Sequence, residues 1–162
     1  MTAIKIRDYD GQDADSLNRI AVSAFEQFRD HYQDWPAMRA GLSKTSTLDA
    51  LGELIVIECE GQLAGSVAYV GPNRPKAAFF DQDWPVIRML VVDPAFRGKG
   101  FGRALSTECI ARAKRDGSPV IALHTSPIMT TALAMYLKMG FVRIADAPPI
   151  FGVAYSVYTK AL

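Results

Sequence analysis

Residues 97–102 form a short glycine-rich loop whose composition suits the binding of a phosphate. The loop reads Arg-Gly-Lys-Gly-Phe-Gly and lies between the apolar segment Val86–Val92 and an amphipathic segment that begins at Gly102. Backbone N–H groups and the helix dipole at such a junction attract a phosphate, and glycine lets the backbone approach without a Cβ collision. Arg97 and Lys99 add charge, and we expect Gly102 to let the helix pack tightly on the sheet.

Two other phosphate-binding motifs do not fit this spacing. A dinucleotide fingerprint that starts at Gly98 requires glycine at position 103, where the chain has Arg103, and an acidic residue after the next strand, where it has His124 and Thr125. A kinase-type P-loop requires Gly-Lys followed by Ser or Thr, which the sequence lacks. The purely structural alternative is a helix start with extra glycines.

The hydrophobic periodicity predicts the elements that must position this loop. They are a first strand near Ile4, a helix from Leu17 to Phe28 capped by Asp15, a second helix through Met38 and Leu42, a hairpin from Leu54 to Val70, the strand Val86–Val92, a helix from Gly102 to Arg115, a strand from Val120 to Leu123, a helix from Thr130 to Met139, and final strands over 141–145 and 153–159. This order predicts an α/β (mixed α+β) fold.

Bulk properties exclude some functions. With 162 residues, 49% of them hydrophobic, the chain has the size of a single domain, which we expect to span residues 1–162. Its 18 basic and 17 acidic residues are mixed along the chain, which disfavours nucleic-acid binding. Cys59 and Cys109 form no metal-type pair, so we expect two buried hydrophobic side chains and no metal site.

The chain has no obvious membrane or export signal. The amino-terminal residues lack the apolar centre of a signal peptide, so we expect a cytoplasmic location. Residues 118–137 are uncharged apart from His124, but Pro119, Pro127 and three threonines argue against a membrane span.

Two segments in register resemble the GNAT superfamily of N-acetyltransferases. Residues 90–102 resemble its pyrophosphate-binding signature, in which Arg or Gln is followed by x-x-Gly-x-Gly or Ala; Arg97, Gly100 and Gly102 match it. About forty residues later, residues 132–141 resemble the second signature, Ala-x-x-x-Tyr-x-x-x-Gly-Phe. The resemblance implies a mostly antiparallel mixed sheet of six to seven strands flanked by about four helices.

The resemblance also implies an acetyl-CoA cosubstrate. Backbone amides near Leu90 and Val92 would receive the acyl carbonyl and the pantetheine arm, and would stabilise the developing oxyanion. The loop amides would hold the pyrophosphate; Arg103 or Lys99 would reach the ribose phosphate, or else each is a surface charge. The full set of implied cofactor-binding residues is Leu90, Val91, Val92, Arg97, Gly98, Lys99, Gly100, Phe101, Gly102 and Arg103.

Two residues are candidates for proton transfer. Tyr136 resembles the family's general acid, which would protonate the thiolate leaving group; the alternative is a core aromatic. His124 lies twelve residues earlier, where some family members carry a glutamate proposed as base, and imidazole titrates near neutrality. The alternative is a histidine hydrogen-bonded inside the sheet. Glu26, Asp81 and Asp83 are further candidates for the base or for an acidic pocket that binds the acceptor.

One position departs from the family pattern. Many members have Asn seven residues before the tyrosine, where it contacts the coenzyme, and this chain has Met129 there. We therefore expect fewer or rearranged pantetheine contacts.

The sequence leads to two hypotheses of function. The first is an acetyltransferase that moves an acetyl group to a primary amine, in a small molecule or a peptide, by direct attack in a ternary complex. The second is a non-catalytic sensor or docking module that binds acyl-CoA. Either protein would be a monomer or a homodimer without nucleic-acid or membrane partners.

Overall fold

The computed structural model describes residues 2–162 and contains, within that range, four α-helices and seven β-strands. The helices are α1 (Ala14–Phe25), α2 (Trp35–Leu42), α3 (Phe101–Arg115) and α4 (Thr130–Lys138). The strands are β1 (Ile4–Asp8), β2 (Glu53–Cys59), β3 (Gln62–Val70), β4 (Val86–Val92), β5 (Val120–Thr125), β6 (Val142–Ile150) and β7 (Val153–Ala161). Short 3₁₀ segments cover Gly11–Asp13, Glu26–His31, Thr45–Ala50 and Pro94–Phe96.

All seven strands form one sheet in the order β1-β2-β3-β4-β5-β7-β6. Every neighbouring pair is antiparallel except β4 and β5, which run parallel. A parallel pair needs a crossover, and α3 supplies it. The fold class predicted from the sequence is confirmed.

The two faces of the sheet bury separate hydrophobic cores. On β2, Ile55 and Ile57 face a core that includes Leu105 and Cys109 of α3, while the alternating residue Val56 packs with Leu17 of α1. This alternation follows from the period of two in a strand. The helices therefore lie on both faces, with α3 on one and α1 on the other, and the predicted burial of Cys109 is confirmed.

The structure corrects several predicted boundaries. Helix α1 begins at Ala14, so Asp15 lies in its first turn and is not its cap, and Phe28 lies beyond the helix in a 3₁₀ segment. Strands β6 and β7 run further than predicted, and β6 contains Pro148 and Pro149. Because β6 is an edge strand, a proline there need not remove a ladder hydrogen bond.

The uncharged stretch from residue 118 to residue 137 is divided between β5 and α4. Among residues 2–162, no helix combines the length and the apolar character that crossing a bilayer would require.

Candidate active site

Strand β4 carries a bulge at Met89 and Leu90, where two residues oppose the single residue Val67 of β3. The pairing with β3 shifts between Arg88 and Val91, and Met89 has a φ of 54°. Positive φ is uncommon for a residue other than glycine, and bulges often lie next to active sites because they re-aim the strand. The middle of β4 is thus the irregular part of the sheet.

Strands β4 and β5 separate just after they meet. Their ladder contains one residue pair, Val86 with Ala122, and the amide of Ala122 donates to the carbonyl of Pro85 at 2.9 Å. Beyond this point the two parallel strands share no further pair, so a gap opens toward their carboxyl ends.

The amides of β4 that face this gap follow from the alternation of the strand. The N–H of Asp93 donates to the carbonyl of Ala64 on β3 at 2.8 Å. Since successive amides of a strand point to opposite sides, the N–H of Val92 points away from β3 and toward the gap, and we infer the same direction for the N–H of Leu90 at the edge of the bulge. They are available to a ligand carbonyl.

The start of α3 offers a second group of free amides. The first intrahelical bond runs from the N–H of Ala104 to the carbonyl of Gly100 at 3.0 Å, and no side chain caps the helix. The N–H groups of residues 101–103 therefore have no intrahelical partner. Gly98 and Gly100 both have φ of 80°, a conformation that glycine adopts without steric cost.

One cavity of about 500 Å³ joins the gap to this helix end. Its walls are β4, the loop, the carboxyl-terminal end of α1 and the amino-terminal ends of α3 and α4. Of the residues expected to bind the coenzyme, all but Lys99 line it: Leu90, Val91, Val92, Arg97, Gly98, Gly100, Phe101, Gly102 and Arg103. Residues scattered over two sequence segments thus surround a single space.

For two residues of the cavity wall, Arg97 and Gly102, the structure adds to or changes what the sequence predicts. Arg97 lines the cavity and also donates to the carbonyl of Ala24 at 3.2 Å, so it ties the loop to the end of α1. A Cβ on Gly102 would lie 3.6 Å from Leu90 and from Met135, which is ordinary van der Waals contact. Gly102 thus faces β4 as expected, but there is room for a Cβ atom, so the packing does not require glycine.

Met129 lies in the cavity wall at the start of α4. The hydroxyl of Thr125 donates to its sulfur at 3.7 Å. Where an amide side chain would offer a donor and an acceptor, this chain offers a thioether, which is a weak acceptor.

Tyr136 is buried beside the cavity and does not line it. Its ring packs edge-on against Phe141 with centroids 5.5 Å apart, and burial raises the pKa of its phenol while a hydrogen bond with Ser106 acts in the opposite direction. The hydroxyl of Ser106 donates to the carbonyl of Gly102 at 2.8 Å. Ser106 thus connects the phenol of Tyr136 to the backbone carbonyl of Gly102, which lines the cavity.

His124 lies on β5 but lines a different, second cavity. Its ring stacks on Phe79 and tilts against Tyr155, with both centroid distances 5.2 Å. Its Nδ1 is buried without a hydrogen-bond partner, so the alternative of a histidine bonded inside the sheet through that atom is not observed. Burial, and next the charge of Arg88, lower the pKa of His124 to about 4. The imidazole is neutral at pH 7.

The remaining candidate bases lie elsewhere. Asp81 and Asp83 are exposed, and Glu26 is exposed within 3.9 Å of Arg29. None of the three lines either cavity.

Sequence reasoning missed Arg88 and the bulge at Met89. Arg88 lines the second cavity together with His124. Its signal was available, because it is the single charged residue in the otherwise apolar strand Val86–Val92. The bulge has no comparable signal, since Met89 is an ordinary strand residue by type.

Comparison with known proteins places this geometry in one family. Residues 14–141 match the model of the acetyltransferase (GNAT) family. The chain is 30% identical over 138 residues to mycothiol acetyltransferase of Cellulomonas flavigena, covering 83% of this chain and 39% of that protein. It is 28% identical over 133 residues to S-alkylcysteine N-acetyltransferase of Bacillus subtilis, covering 80% of this chain and 74% of that protein. The chain thus spans about two fifths of the former relative.

Solved structures show the same fold. The acetyltransferase yncA of Salmonella typhimurium, whose structure contains acetyl-CoA, superposes with a TM-score of 0.72 at 20% identity, covering 99% of this chain and 94% of that one. A GNAT-family acetyltransferase of Staphylococcus aureus superposes with a TM-score of 0.76 at 19% identity, covering 99% of each chain. With its strand gap, its glycine-rich loop and the family match over most of its length, the chain belongs to the GNAT family of acetyltransferases.

Proposed function

We propose that the protein transfers the acetyl group of acetyl-CoA to a primary amine by direct attack in a ternary complex. The observation that carries the proposal is the continuity of one cavity from the free amides of α3 to those of Leu90 and Val92. The diphosphate and the thioester carbonyl are the two parts of acetyl-CoA that need such donors.

The residues of the cavity fit this cosubstrate. The N–H groups of residues 101–103 and the positive end of the α3 dipole would hold the pyrophosphate, and Arg97 and Arg103 add charge at the cavity wall. Leu90, Val92 and Met135 supply apolar surface for the pantetheine arm. When bound, acetyl-CoA supplies the activated thioester.

The gap between β4 and β5 would orient and polarise the acyl carbonyl. The N–H groups of Leu90 and Val92 donate hydrogen bonds that strengthen as negative charge develops on the carbonyl oxygen. Val92 pairs with Gly65 of β3, which holds its amide in place before the amine attacks.

Proton transfer is assigned to the two residues on either side of the sheet. His124 is neutral at pH 7, so its imidazole would accept, directly or through water, the proton that the amine nitrogen loses as the new C–N bond forms. Tyr136 would donate a proton to the leaving thiolate, and its buried phenol remains protonated at neutral pH because burial raises its pKa.

The competing function is an acyl-CoA sensor without turnover. It is favoured by one observation: neither Tyr136 nor His124 lines the cavity that would hold the coenzyme. A coenzyme-binding site would then be present without its proton-transfer groups.

The two functions are separated by a thiol-release assay. The protein is mixed with acetyl-CoA and a panel of primary amines, and free thiol and acetylated amine are both quantified, while calorimetry measures coenzyme binding. Amine-dependent release with matching amounts of acetylated product supports the transferase. Tight coenzyme binding without any product from the panel would establish the sensor instead.

A further inference from the structure

The second cavity lies at the amino-terminal half of β4, whereas the glycine-rich loop follows the carboxyl end of that strand. Its volume is about 330 Å³, the size of a small-molecule site. Leu51, Val70, Phe80 and Val86 provide apolar walls, and Arg88 and His124 lie side by side on β4 and β5. We refer to it as the Arg88 pocket.

The positive charge of the Arg88 pocket is unbalanced. Two of its lining residues are cations, Lys76 and Arg88, and none of them is an acid. The ammonium group of Lys76 donates to the carbonyls of Gly71, Arg74 and Gln82 at 3.2, 2.9 and 2.7 Å. Those three bonds use all three of its donors, so Lys76 shapes the loop and has none left for a ligand.

Arg88 has its donors free. Among residues 2–162 its guanidinium makes no hydrogen bond and no ion pair, although a guanidinium carries five N–H donors. The side chain reaches solvent at the mouth of the pocket, yet burial lowers its pKa and no carboxylate opposes that effect. An exposed guanidinium that has no protein partner has its N–H donors available to a ligand.

The positions of Arg88 and His124 indicate how a ligand in the pocket would be oriented. The charge of Arg88 acts on the His124 imidazole, so the two groups are close. Both follow the last shared pair of β4 and β5, at Val86 and Ala122, and so lie at the base of the strand gap. A ligand held by Arg88 would therefore extend from the pocket toward the gap where the acyl carbonyl is polarised.

We propose that the acceptor is a small amine that also carries a carboxylate, which Arg88 binds in this pocket while the amine lies beside His124 at the base of the gap. The inference rests on the proposed acetyl transfer and specifies its acceptor. A planar guanidinium binds a carboxylate through two parallel hydrogen bonds. The apolar walls at Leu51, Val70 and Phe80 accommodate an aliphatic or thioether side chain, so apolar amino acids are the class of acceptor.

The test compares amino acids with their carboxamides. Leucine and S-methylcysteine are each assayed against the corresponding carboxamide, which retains the amine and side chain and loses the negative charge. The carboxamide amine is less basic and has more of the reactive neutral form at a given pH, so a preference for the acid cannot come from amine protonation. We expect kcat/KM for the acids to exceed that for the carboxamides by about 10-fold or more, mainly through KM.

Substitutions then assign the preference to Arg88. In Arg88→Gln the ratio of acid to carboxamide falls toward one, and Arg88→Lys retains part of it because the charge stays while the bidentate geometry is lost. Arg39→Gln is the matched control, since Arg39 is exposed on α2 and lines neither cavity. An unchanged ratio in folded Arg88→Gln overturns the proposal.

Failure of this inference is distinguishable from failure of the proposed transfer. If the wild-type protein acetylates acids and carboxamides equally well, the Arg88 inference is overturned and acetyl transfer stands. If no amine is acetylated, calorimetry still tests whether the Arg88 pocket binds a carboxylate. It is done in the presence of free coenzyme A, which has no acetyl group to transfer. Binding of leucine but not leucinamide, lost in Arg88→Gln, supports the carboxylate site, and equal binding or none overturns it.

Discussion

Gly65 of β3 lies so close to Val91 of β4 that a Cβ atom on Gly65 would come within 2.8 Å of the Val91 carbonyl oxygen. The two strands pair at this point, immediately beside the bulge. The absence of a side chain on one strand therefore helps to fix the backbone that faces the gap on the other.

Gly65→Ala should destabilise the protein and weaken coenzyme binding. The contact is with backbone, which must shift to accommodate the methyl group, at a cost of about 1–3 kcal/mol. Denaturant unfolding measures the free energy of unfolding, and calorimetry measures the affinity for acetyl-CoA. Gly41→Ala is the control: a Cβ there meets nothing within 4 Å, and alanine favours the helix. Equal stability of both variants would show that the strand contact is unimportant.

Gly100→Ala should reduce the affinity of the folded protein for acetyl-CoA by about 10-fold, in addition to lowering the stability of the protein. Gly100 has a φ of 80° and ends the loop at the first turn of α3, so a methyl group both strains the backbone and enters the phosphate site. Strain alone costs about 1–2 kcal/mol.

The control for this prediction is Gly61→Ala in the hairpin turn. Gly61 has a φ of 78° and equally open surroundings, but it does not line the cavity. Calorimetry should show wild-type affinity for Gly61→Ala. If both variants bind acetyl-CoA as the wild type does, the loop is not the coenzyme site.

Tyr136→Phe should lower kcat by about 10- to 100-fold and leave the affinity for acetyl-CoA nearly intact. The substitution removes the phenolic proton and keeps the ring that packs on Phe141. Steady-state kinetics and calorimetry measure the two quantities. Tyr158→Phe is matched, because Tyr158 is buried in the same core, and its kcat should stay at the wild-type value. An unaltered kcat in Tyr136→Phe would make Tyr136 a packing residue.

His124 should make the stability of the protein depend on pH. Its pKa is lowered from 6.5 to about 4 in the folded state, so the unfolded chain binds more protons between those values. The free energy of unfolding therefore falls as the pH decreases from 6.5 to 4, by up to about 3 kcal/mol from this group. Above pH 6.5 the contribution of His124 is fully present.

Urea unfolding at several pH values checks this prediction. His124→Gln should flatten the dependence between pH 4 and 6.5 relative to the wild type, whereas His31→Gln, an exposed position, should retain it. Identical pH profiles for wild type and His124→Gln would mean that His124 titrates normally.

The shape of the glycine-rich loop at residues 97–102 was predictable from sequence because it depends on local geometry. A buried strand, two glycines with positive φ and a helix start follow one another within a few residues, and Gly98 and Gly100 are where the pattern requires them. Backbone donors at a helix start need no distant partner to be recognised.

The pairing of residues across the sheet was not predictable in the same way. Arg88 and His124 are far apart in the chain and become neighbours only because β5 joins β4 through one pair of residues. The gap arises where the pairing of β4 with β5 stops. The alternation of residue types along each strand is the same whether or not a neighbouring strand is present, so it does not predict this point. The bulge at Met89 likewise depends on how β3 and β4 align.

The lone contact between β4 and β5 also has a mechanical consequence. The sheet consists of a four-stranded leaf and a three-stranded leaf whose main chains meet at Val86 and Ala122. One shared pair resists shear weakly, so the width of the channel between the leaves is governed by side chains packed across it. Substitutions of those side chains should therefore change the width of the gap between β4 and β5 even where they contact no ligand.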